Sequence, residues 1–209
     1  THLVDGANKN FTEKQIQDAK HVFEAIEIRS KLITHILSSD GIMGKYVDTS
    51  DAVRPGLALY GVSTFPGTSL KPVMGLTSQV IKLNNVAKGE GTGYGPQWRA
   101  AVDTRLATIS IGYGDGILRS LANRGEVVIS GKRYPMVGSV CMDLIMVEVG
   151  RNSDVQVGDA VSIFSAGCDH GNKGISSIRV DENAARAGTI SYEVLTQISE
   201  RVKRIYLNN

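Results

Sequence analysis

A tyrosine lies within a run of alternating glycines near the middle of the chain. Four glycines fall within seven residues, and the last two flank Tyr94; they are Gly89, Gly91, Gly93 and Gly95. Glycines let the backbone approach a ligand closely, and such a loop would leave one phenolic hydroxyl projecting. A phenol held in this way can exchange a proton with a substrate. The spacing alone favours a simpler interpretation, an ordinary β-turn with a packing tyrosine.

Two further segments combine glycines with reactive side-chain types. Residues 111–116 (Ile-Gly-Tyr-Gly-Asp-Gly) follow a predicted strand, but they lack the GxGxxG spacing and a clear following helix. They therefore do not form a dinucleotide-binding fingerprint. Residues 138–143 (Gly-Ser-Val-Cys-Met-Asp) place a thiol, a thioether and a carboxylate together after Pro135. A buried Cys and Met beside a turn Asp explain this second segment better than a reactive site does.

Two positions in the first part of the chain have the context of phosphate-binding turns. Ser39 follows a predicted strand at a glycine turn, and Gly56 and Leu57 follow Arg54-Pro55. In (β/α)8 barrels, the loops after the last two strands often bind phosphate through backbone N–H groups. Each position alone has low specificity, and only their order along the chain makes the pair informative.

The elements that would hold these residues change in type near residue 76. Before it, residues 13–29 have helical spacing behind a capping box at Thr12, and residues 32–37 form a short apolar run. After it, segments rich in Val, Ile and Thr alternate with turn residues and predict an antiparallel β domain. The predicted strands are 78–83, 105–111, 126–129, 144–149 and 160–164. The remaining predictions are a hairpin tip at Gly131-Lys132, a helix at 181–187 and a helix or strand at 193–205.

Composition and charge exclude several classes of protein. The 209 residues are 42% hydrophobic and 21% charged, which is enough for a sizeable core. A net charge of +2 gives no electrostatic argument for nucleic acid or an acidic membrane surface. The two cysteines, Cys141 and Cys168, form no CxxC pair, and no metal site is predicted. With no signal peptide and no apolar run of about 20 residues, a reducing cytoplasm is the expected location.

A set of segments, taken together, resembles the signature segments of the alanine racemase family in that family's order. They are residues 1–2, 35–39, 53–61, 93–95, 111–116, 138–143 and 188–194. The resemblance implies a pyridoxal-phosphate-dependent isomerase that interconverts L-alanine and D-alanine for peptidoglycan synthesis, as a homodimer with shared active sites. It also implies the fold, α/β plus β: residues 1–76 as the C-terminal portion of a (β/α)8 (TIM) barrel, and 77–209 as a mostly antiparallel β domain.

The resemblance implies roles for individual residues as well. Tyr94 is similar to the catalytic tyrosine that acts on the substrate face opposite the cofactor lysine. Arg54 resembles the arginine that hydrogen-bonds the pyridine nitrogen, and His2 resembles the histidine behind the cofactor ring. The residues similar to the phosphate binders are Ser39, Gly56, Leu57 and Tyr192. The residues similar to substrate contacts are Met142, through its backbone N–H, and Tyr113, Arg119 and Asp143 at the substrate entrance.

These residue types suit the chemistry of racemisation. The reaction removes the α-proton from one face and returns a proton to the other, which two acid–base groups on opposite faces do most simply. The pKa of a free phenol is about 10, so a tyrosine that acts as a base needs cationic neighbours that favour the phenolate. An arginine at the pyridine nitrogen should leave that nitrogen unprotonated and weaken the ring as an electron sink, which limits side reactions.

The chain also departs from the family pattern. Ser139 stands where many relatives have an arginine, and residues 37–39 are Leu-Ser-Ser instead of Ala-Asn-Ser, whereas Tyr192 keeps the residue that favours alanine over serine. No stretch resembles the motif of the Schiff-base lysine, and the chain begins at Thr1. We therefore expect a part of a longer racemase that is inactive alone. Two alternatives stay open: a serine or broad-specificity racemase, and a non-catalytic dimerisation or binding module.

Overall fold

The computed structural model describes residues 1–26, 31–48, 50–95, 97–165 and 177–207. The chain divides into two compact units, Thr1–Val73 and Met74–Asn209. The end of the first predicted helix, at residues 27–29, and Cys168 lie outside the described residues. In the part of the chain that is described, no helix is long and apolar enough to cross a membrane.

The first unit alternates helices and strands around a small apolar core. Its elements are helix α1 (Lys9–Ala25), strand β1 (His35–Ser38), helix α2 (Ser39–Met43), strand β2 (Ala52–Arg54) and a 3-10 helix (Leu57–Tyr60). β1 and β2 pair in parallel, with Ser38 opposite Arg54. Ile36 and Leu37 of β1 are buried with Leu3 and Ala19. Two parallel strands joined by a helix run in the same direction, so their carboxyl ends lie at the same edge of the sheet.

The predicted capping box at Thr12 is wrong. α1 begins at Lys9, and its N-cap is Asn8, whose side chain accepts a hydrogen bond from the Phe11 N–H at 3.2 Å. Thr12 is buried inside the helix, and its hydroxyl donates to the Asp5 carbonyl oxygen at 2.8 Å. Asn caps helices at least as well as Thr, so the helix starts at the earlier residue.

The second unit is built on a closed barrel of six strands. They are β3 (Leu76–Val86), β4 (Thr104–Ile109), β5 (Glu126–Ile129), β6 (Lys132–Val137), β7 (Ile145–Glu148) and β8 (Ala160–Phe164). Their order is β3-β4-β7-β6-β5-β8, and each pairing within the barrel is antiparallel. Each of the five predicted strands overlaps one of these, so the predicted antiparallel β domain is this barrel. Closure leaves no unpaired strand edge.

The β5–β6 hairpin is confirmed, but its tip lies one residue earlier than predicted. Ser130 and Gly131 have φ values of 50° and 77°, as the two central residues of a type I′ turn require. Lys132 already pairs with Ile129 across the strands. A serine can occupy the first left-handed position only at some cost, which is why the sequence alone pointed to the residue pair after it.

Two helices follow the barrel, α3 (Val180–Ala187) and α4 (Ser191–Thr196). α3 is tied to the β5–β6 hairpin by a half-buried network of four charged side chains. The guanidinium of Arg133 contacts the carboxylate of Glu126 at 3.2 Å and also contacts that of Glu182. The guanidinium of Arg186 lies 2.8 Å from the Glu126 carboxylate and 3.2 Å from that of Glu182. The network therefore fixes the helix that precedes Tyr192.

We expect this network to make stability depend on pH. The hydrogen bond from Arg133 holds the pKa of Glu182 below its usual value, aided by Arg186 and opposed by burial. The pKa of Glu182 is lower in the folded protein than in the unfolded chain. The ion pairs therefore stabilise the fold fully at pH values above the unfolded-state pKa of about 4.3, and this stabilisation is lost as the pH falls through the folded-state pKa. Glu182→Gln should lower the free energy of unfolding by about 1 kcal/mol at pH 7, and by progressively less below about pH 4.

Urea unfolding of the wild type and the variant across this pH range measures the difference. A matched control is Glu13→Gln, which breaks an exposed ion pair with Lys9 at 3.8 Å. That change should cost less than about 0.5 kcal/mol at either pH. A loss for Glu182→Gln that is the same at pH 7 and at low pH would contradict the expected linkage.

Candidate active site

Arg54, the last residue of β2, is held at the strand ends of the first unit. Its Nε lies 3.4 Å from His2 Nδ1, and its Nη1 donates to the His35 carbonyl oxygen at 3.2 Å. Its Nη2 donates to the carbonyl oxygens of Thr1 and, at 3.4 Å, of Ile36. The parallel pairing of β1 and β2 places Arg54 beside the carbonyls of His35 and Ile36, and Thr1 adds a third acceptor, so the cation has a fixed position and orientation.

The contact between Arg54 and His2 fixes which imidazole nitrogen carries a proton. A guanidinium can only donate, so His2 Nδ1 accepts, and a neutral His2 carries its proton on Nε2. The contacts of Arg54 among the described residues use four of its five N–H groups. One Nη1 N–H is left to donate to an acceptor on a bound ligand. An unprotonated aromatic ring nitrogen is an acceptor of this kind.

The three phosphate-binding residues predicted in the first unit lie around one turn. Ser39 begins α2, is only 3% exposed, and its Oγ accepts a hydrogen bond from the Ala58 N–H at 3.1 Å. Leu57 is buried, which anchors the start of the 3-10 helix. A Cβ added to Gly56 would meet nothing within 4 Å, so this backbone borders open space. The Gly56 N–H itself donates to the Arg54 carbonyl oxygen at 3.0 Å, so the turn offers a phosphate the Ser39 hydroxyl and the open backbone at Gly56.

Tyr94 lies in the second unit, in the loop between β3 and β4. Gly93 and Gly95 on either side have φ values of 80° and 65°, which favour glycine. The Tyr94 side chain is 80% exposed, which argues against the interpretation as a packing tyrosine. Its backbone is anchored nevertheless, because the Ser139 hydroxyl donates to the Tyr94 carbonyl oxygen at 2.7 Å. The loop therefore presents an exposed phenol on a backbone that the Ser139 hydroxyl restrains.

The two other glycine-containing segments of the second unit are joined through their backbones. The Tyr113 N–H donates to the Cys141 carbonyl oxygen at 2.9 Å, and the Gly114 N–H donates to that of Met142 at 2.8 Å. A Cβ on Gly112 would lie 2.3 Å from the Cys141 carbonyl oxygen, so this close approach requires a glycine. The side chains of Tyr113 and Met142 are both exposed beside this contact.

Arg201 connects these two segments and was not among the predicted site residues. Its Nε lies 3.3 Å from Asp115, and its Nη2 contacts Asp143. The hydrogen bond to Asp143, followed by the charge of Asp115, raises the pKa of Arg201. The guanidinium carbon of Arg119 lies 6.0 Å from the centroid of the Tyr113 ring. In the sequence, Arg201 belongs to a basic cluster with Lys203 and Arg204, and such a cluster predicts only a solvated surface.

Tyr192 is the second residue of α4, with an exposed side chain and a carbonyl oxygen that accepts from the Thr196 hydroxyl at 2.8 Å. The predicted site residues thus fall into two groups. The first unit holds His2, Ser39, Arg54, Gly56 and Leu57. The second unit holds Tyr94, Tyr113, Arg119, Met142, Asp143 and Tyr192.

Two family profiles match the chain, one in each unit. The family profile described as "Alanine racemase, C-terminal domain" matches residues 73–206, and the profile "Alanine racemase, N-terminal domain" matches residues 1–64. The chain belongs to the alanine racemase family. The resemblance inferred from the signature segments is therefore confirmed.

Individual alanine racemases are similar over nearly the whole chain. The alanine racemase of Sorangium cellulosum is 37% identical over 216 aligned positions, which cover 99% of this chain and 55% of that protein. That of Geobacter sulfurreducens is 44% identical over 179 positions, covering 83% and 45%. The chain thus spans about half the length of these relatives.

Solved structures of alanine racemases have the same fold as this chain. The enzyme from Bacillus anthracis with bound L-Ala-P has a TM-score of 0.86 and 30% identity, covering 100% of this chain and 54% of its own. The enzyme from Bartonella henselae with covalently bound pyridoxal phosphate has a TM-score of 0.81 and 32% identity, covering 99% and 55%. The similarity extends over both units of the chain.

Proposed function

We propose that this chain is the C-terminal part of a pyridoxal-phosphate-dependent racemase that interconverts L-alanine and D-alanine. Its membership of the alanine racemase family supports this, as do the ligands of its relatives from B. anthracis and B. henselae. Residues 1–76 would be the last part of a (β/α)8 barrel, which the parallel pairing of β1 and β2 supports. Residues 77–209 would be the β domain. The product would serve peptidoglycan synthesis in the cytoplasm.

The first unit fits the proposed cofactor. The remaining N–H of Arg54 would donate to the pyridine nitrogen, and His2 would lie behind the ring. Ser39 and the backbone at Gly56 and Leu57 would hold the phosphate. When bound, pyridoxal phosphate would withdraw electron density from the substrate Cα and so make the α-proton removable. The residues of this chain would orient the ring, and a guanidinium, which can only donate a hydrogen bond, would leave the ring nitrogen unprotonated.

The exposed phenol on the anchored Tyr94 backbone is the observation that carries the proposal. As phenolate, Tyr94 would take the α-proton from one face of the substrate, and as phenol it would return a proton in the opposite direction. The base for the other face would be the family's lysine, whose motif this sequence does not contain. The Met142 N–H would orient the substrate carboxylate. Tyr113, Arg119 and Asp143 would line the substrate entrance.

We propose that Tyr94 completes the site of a second copy in a homodimer. A base on a β-domain loop that is 80% exposed within its own chain is available to another subunit. Each site would then combine the first unit of one copy with the Tyr94 loop of the other. This arrangement makes the activity depend on dimerisation, in addition to cofactor binding.

The test uses the full-length protein, by which we mean a polypeptide that joins this chain to the remaining half of the family's sequence, including its lysine. Loaded with pyridoxal phosphate, it should racemise L-alanine and show the absorbance of a bound cofactor. Residues 1–209 alone, treated in the same way, serve as the matched control and should show neither. Absence of alanine racemisation by the loaded full-length protein would contradict the proposal. Racemisation by residues 1–209 would contradict the inactivity of this chain alone.

A further inference from the structure

We define the Tyr94 loop as residues 92–95 and Gln97. Packing of the Tyr94 ring does not hold this loop in place within the chain. The Tyr94 ring is 80% exposed, so burial of the ring does not fix the loop within this chain. Gly93 and Gly95 have no side chains that could pack, and both have positive φ. A loop of this composition would sample many conformations unless polar contacts restrain its backbone.

The turn that follows β6 supplies one such contact. The Ser139 hydroxyl donates to the Tyr94 carbonyl oxygen at 2.7 Å. A Cβ added to Gly93 would lie 3.1 Å from the Ser139 backbone nitrogen, and one added to Gly138 would lie 2.9 Å from the Thr92 carbonyl oxygen. The two backbones are therefore in close contact, and the Ser139 hydroxyl is placed at the carbonyl of the residue that matters for acid–base chemistry.

Asn123 supplies the second contact, on the other side of Tyr94. Its Oδ1 accepts a hydrogen bond from the Gly138 N–H at 2.7 Å, and its Nδ2 donates to the Gln97 carbonyl oxygen at 3.4 Å. Asn123 itself has a φ of 58°, a conformation that asparagine tolerates better than most residues. One side chain thus bridges the turn after β6 and the far end of the loop.

We propose that Ser139 and Asn123 are positioning residues that hold the Tyr94 phenol at the substrate. The proposal rests on the proposed function of Tyr94, because it assigns these residues to that same site. Proton transfer needs the donor and acceptor atoms within hydrogen-bond distance, and a misplacement of about 1 Å can cost about 100-fold in rate. The turn after β6 continues a barrel strand, so the two side chains tie the backbone of the Tyr94 loop to the barrel.

The first experiment measures the loop directly in residues 1–209. Backbone NMR order parameters of Gly93, Tyr94 and Gly95 should fall in Ser139→Ala and in Asn123→Gly, because both lose a contact that restrains the loop backbone. Glycine is chosen at Asn123 because it tolerates the positive φ. Ser139→Thr keeps a hydroxyl and should restore the order parameters. The matched control is Ser78→Ala, because the Ser78 hydroxyl also donates to a backbone carbonyl, that of Ser110, at 3.0 Å. It should leave the order parameters of the Tyr94 loop unchanged.

The second experiment measures catalysis in the full-length protein. Ser139→Ala should lower kcat for alanine by roughly 3- to 10-fold, the effect of one hydrogen bond, with a smaller change in KM. Because only the Tyr94 step is slowed, the isotope effect of α-deuterated alanine should rise for the enantiomer whose proton Tyr94 removes, and fall for the other. A general loss of folded protein would lower the rate without moving the two isotope effects in opposite directions.

The outcomes separate this inference from the proposed function. Unchanged order parameters at Tyr94 in both Ser139→Ala and Asn123→Gly would overturn the positioning role, even where Tyr94→Phe lowers kcat as expected. Lower order parameters without a change in kcat or in the isotope effects would also overturn it. If Tyr94→Phe leaves racemisation intact, the function of Tyr94 fails, and with it the catalytic meaning of the two positioning residues. Lower order parameters with opposite isotope effects, rescued by Ser139→Thr, support the inference.

Discussion

Replacing Tyr94 with phenylalanine in the full-length protein should lower kcat by about 10²- to 10⁴-fold, the range that general acid–base groups contribute. The substitution keeps the ring and removes only the hydroxyl. The side chain is 80% exposed, and the loop is held by contacts to its backbone, so folding should be unaffected. The free energy of unfolding should therefore change by less than about 0.5 kcal/mol. The fall in kcat would then come from slower proton transfer and not from a loss of folded protein.

The measurement that assigns the loss to one face is α-proton exchange with solvent, followed separately from L-alanine and from D-alanine. In a two-base scheme, only the enantiomer whose proton Tyr94 removes should lose exchange to the full extent. The matched control is Tyr206→Phe, which removes a hydroxyl from a side chain that is 87% exposed near the chain end. It should leave kcat unchanged. Equal loss of exchange from both enantiomers would contradict the assignment of Tyr94 to one face.

The local elements of the β domain could be predicted from the sequence, whereas their closure into a barrel could not. Val, Ile and Thr with turn residues between them mark strands because each strand needs only its own pattern. The strand order β3-β4-β7-β6-β5-β8 depends on pairings between distant segments, such as Leu76 with Phe164. A single sequence contains no local signal for such pairings. The wrong capping box at Thr12 has a related cause, since its hydroxyl partner, Asp5, lies outside the helix.

The candidate site shows the same division between local and distant signals. The glycines around Tyr94 and at residues 111–116 were visible as turns, but their local spacing did not distinguish a catalytic loop from an ordinary one. The order of the segments, which resembles that of the family, is what favoured the interpretation as a catalytic loop. Asn123 and Arg201 were missed because their contacts lie far away in sequence, at Gly138 and Asp143. Neither residue has a motif of its own, so only the fold reveals what it holds.

Substitution of Arg54 by alanine should weaken cofactor binding to the full-length protein by about 10- to 100-fold, since a hydrogen bond to a charged group contributes roughly 1.5–3 kcal/mol. Arg54 also donates to three backbone carbonyl oxygens and to His2. Their loss should destabilise the first unit by about 2–3 kcal/mol. Arg54→Lys keeps a positive charge but not the planar fork, so it should recover only part of either effect.

Titration of the apo protein with pyridoxal phosphate, followed by absorbance, gives the affinity, and urea unfolding gives the stability. The matched control is Arg151→Ala, whose guanidinium contacts only Asp103 among the described residues, at 3.5 Å and in an exposed position. That variant should bind the cofactor normally. If Arg54→Ala loses stability but binds pyridoxal phosphate as tightly as the wild type, Arg54 is a strand-end clamp and not a ligand of the ring. If Arg54→Ala lowers the affinity for pyridoxal phosphate and Arg54→Lys restores little of it, the cofactor site uses the planar donor geometry of Arg54. The positive charge alone is not enough in that case, because Arg54→Lys keeps it.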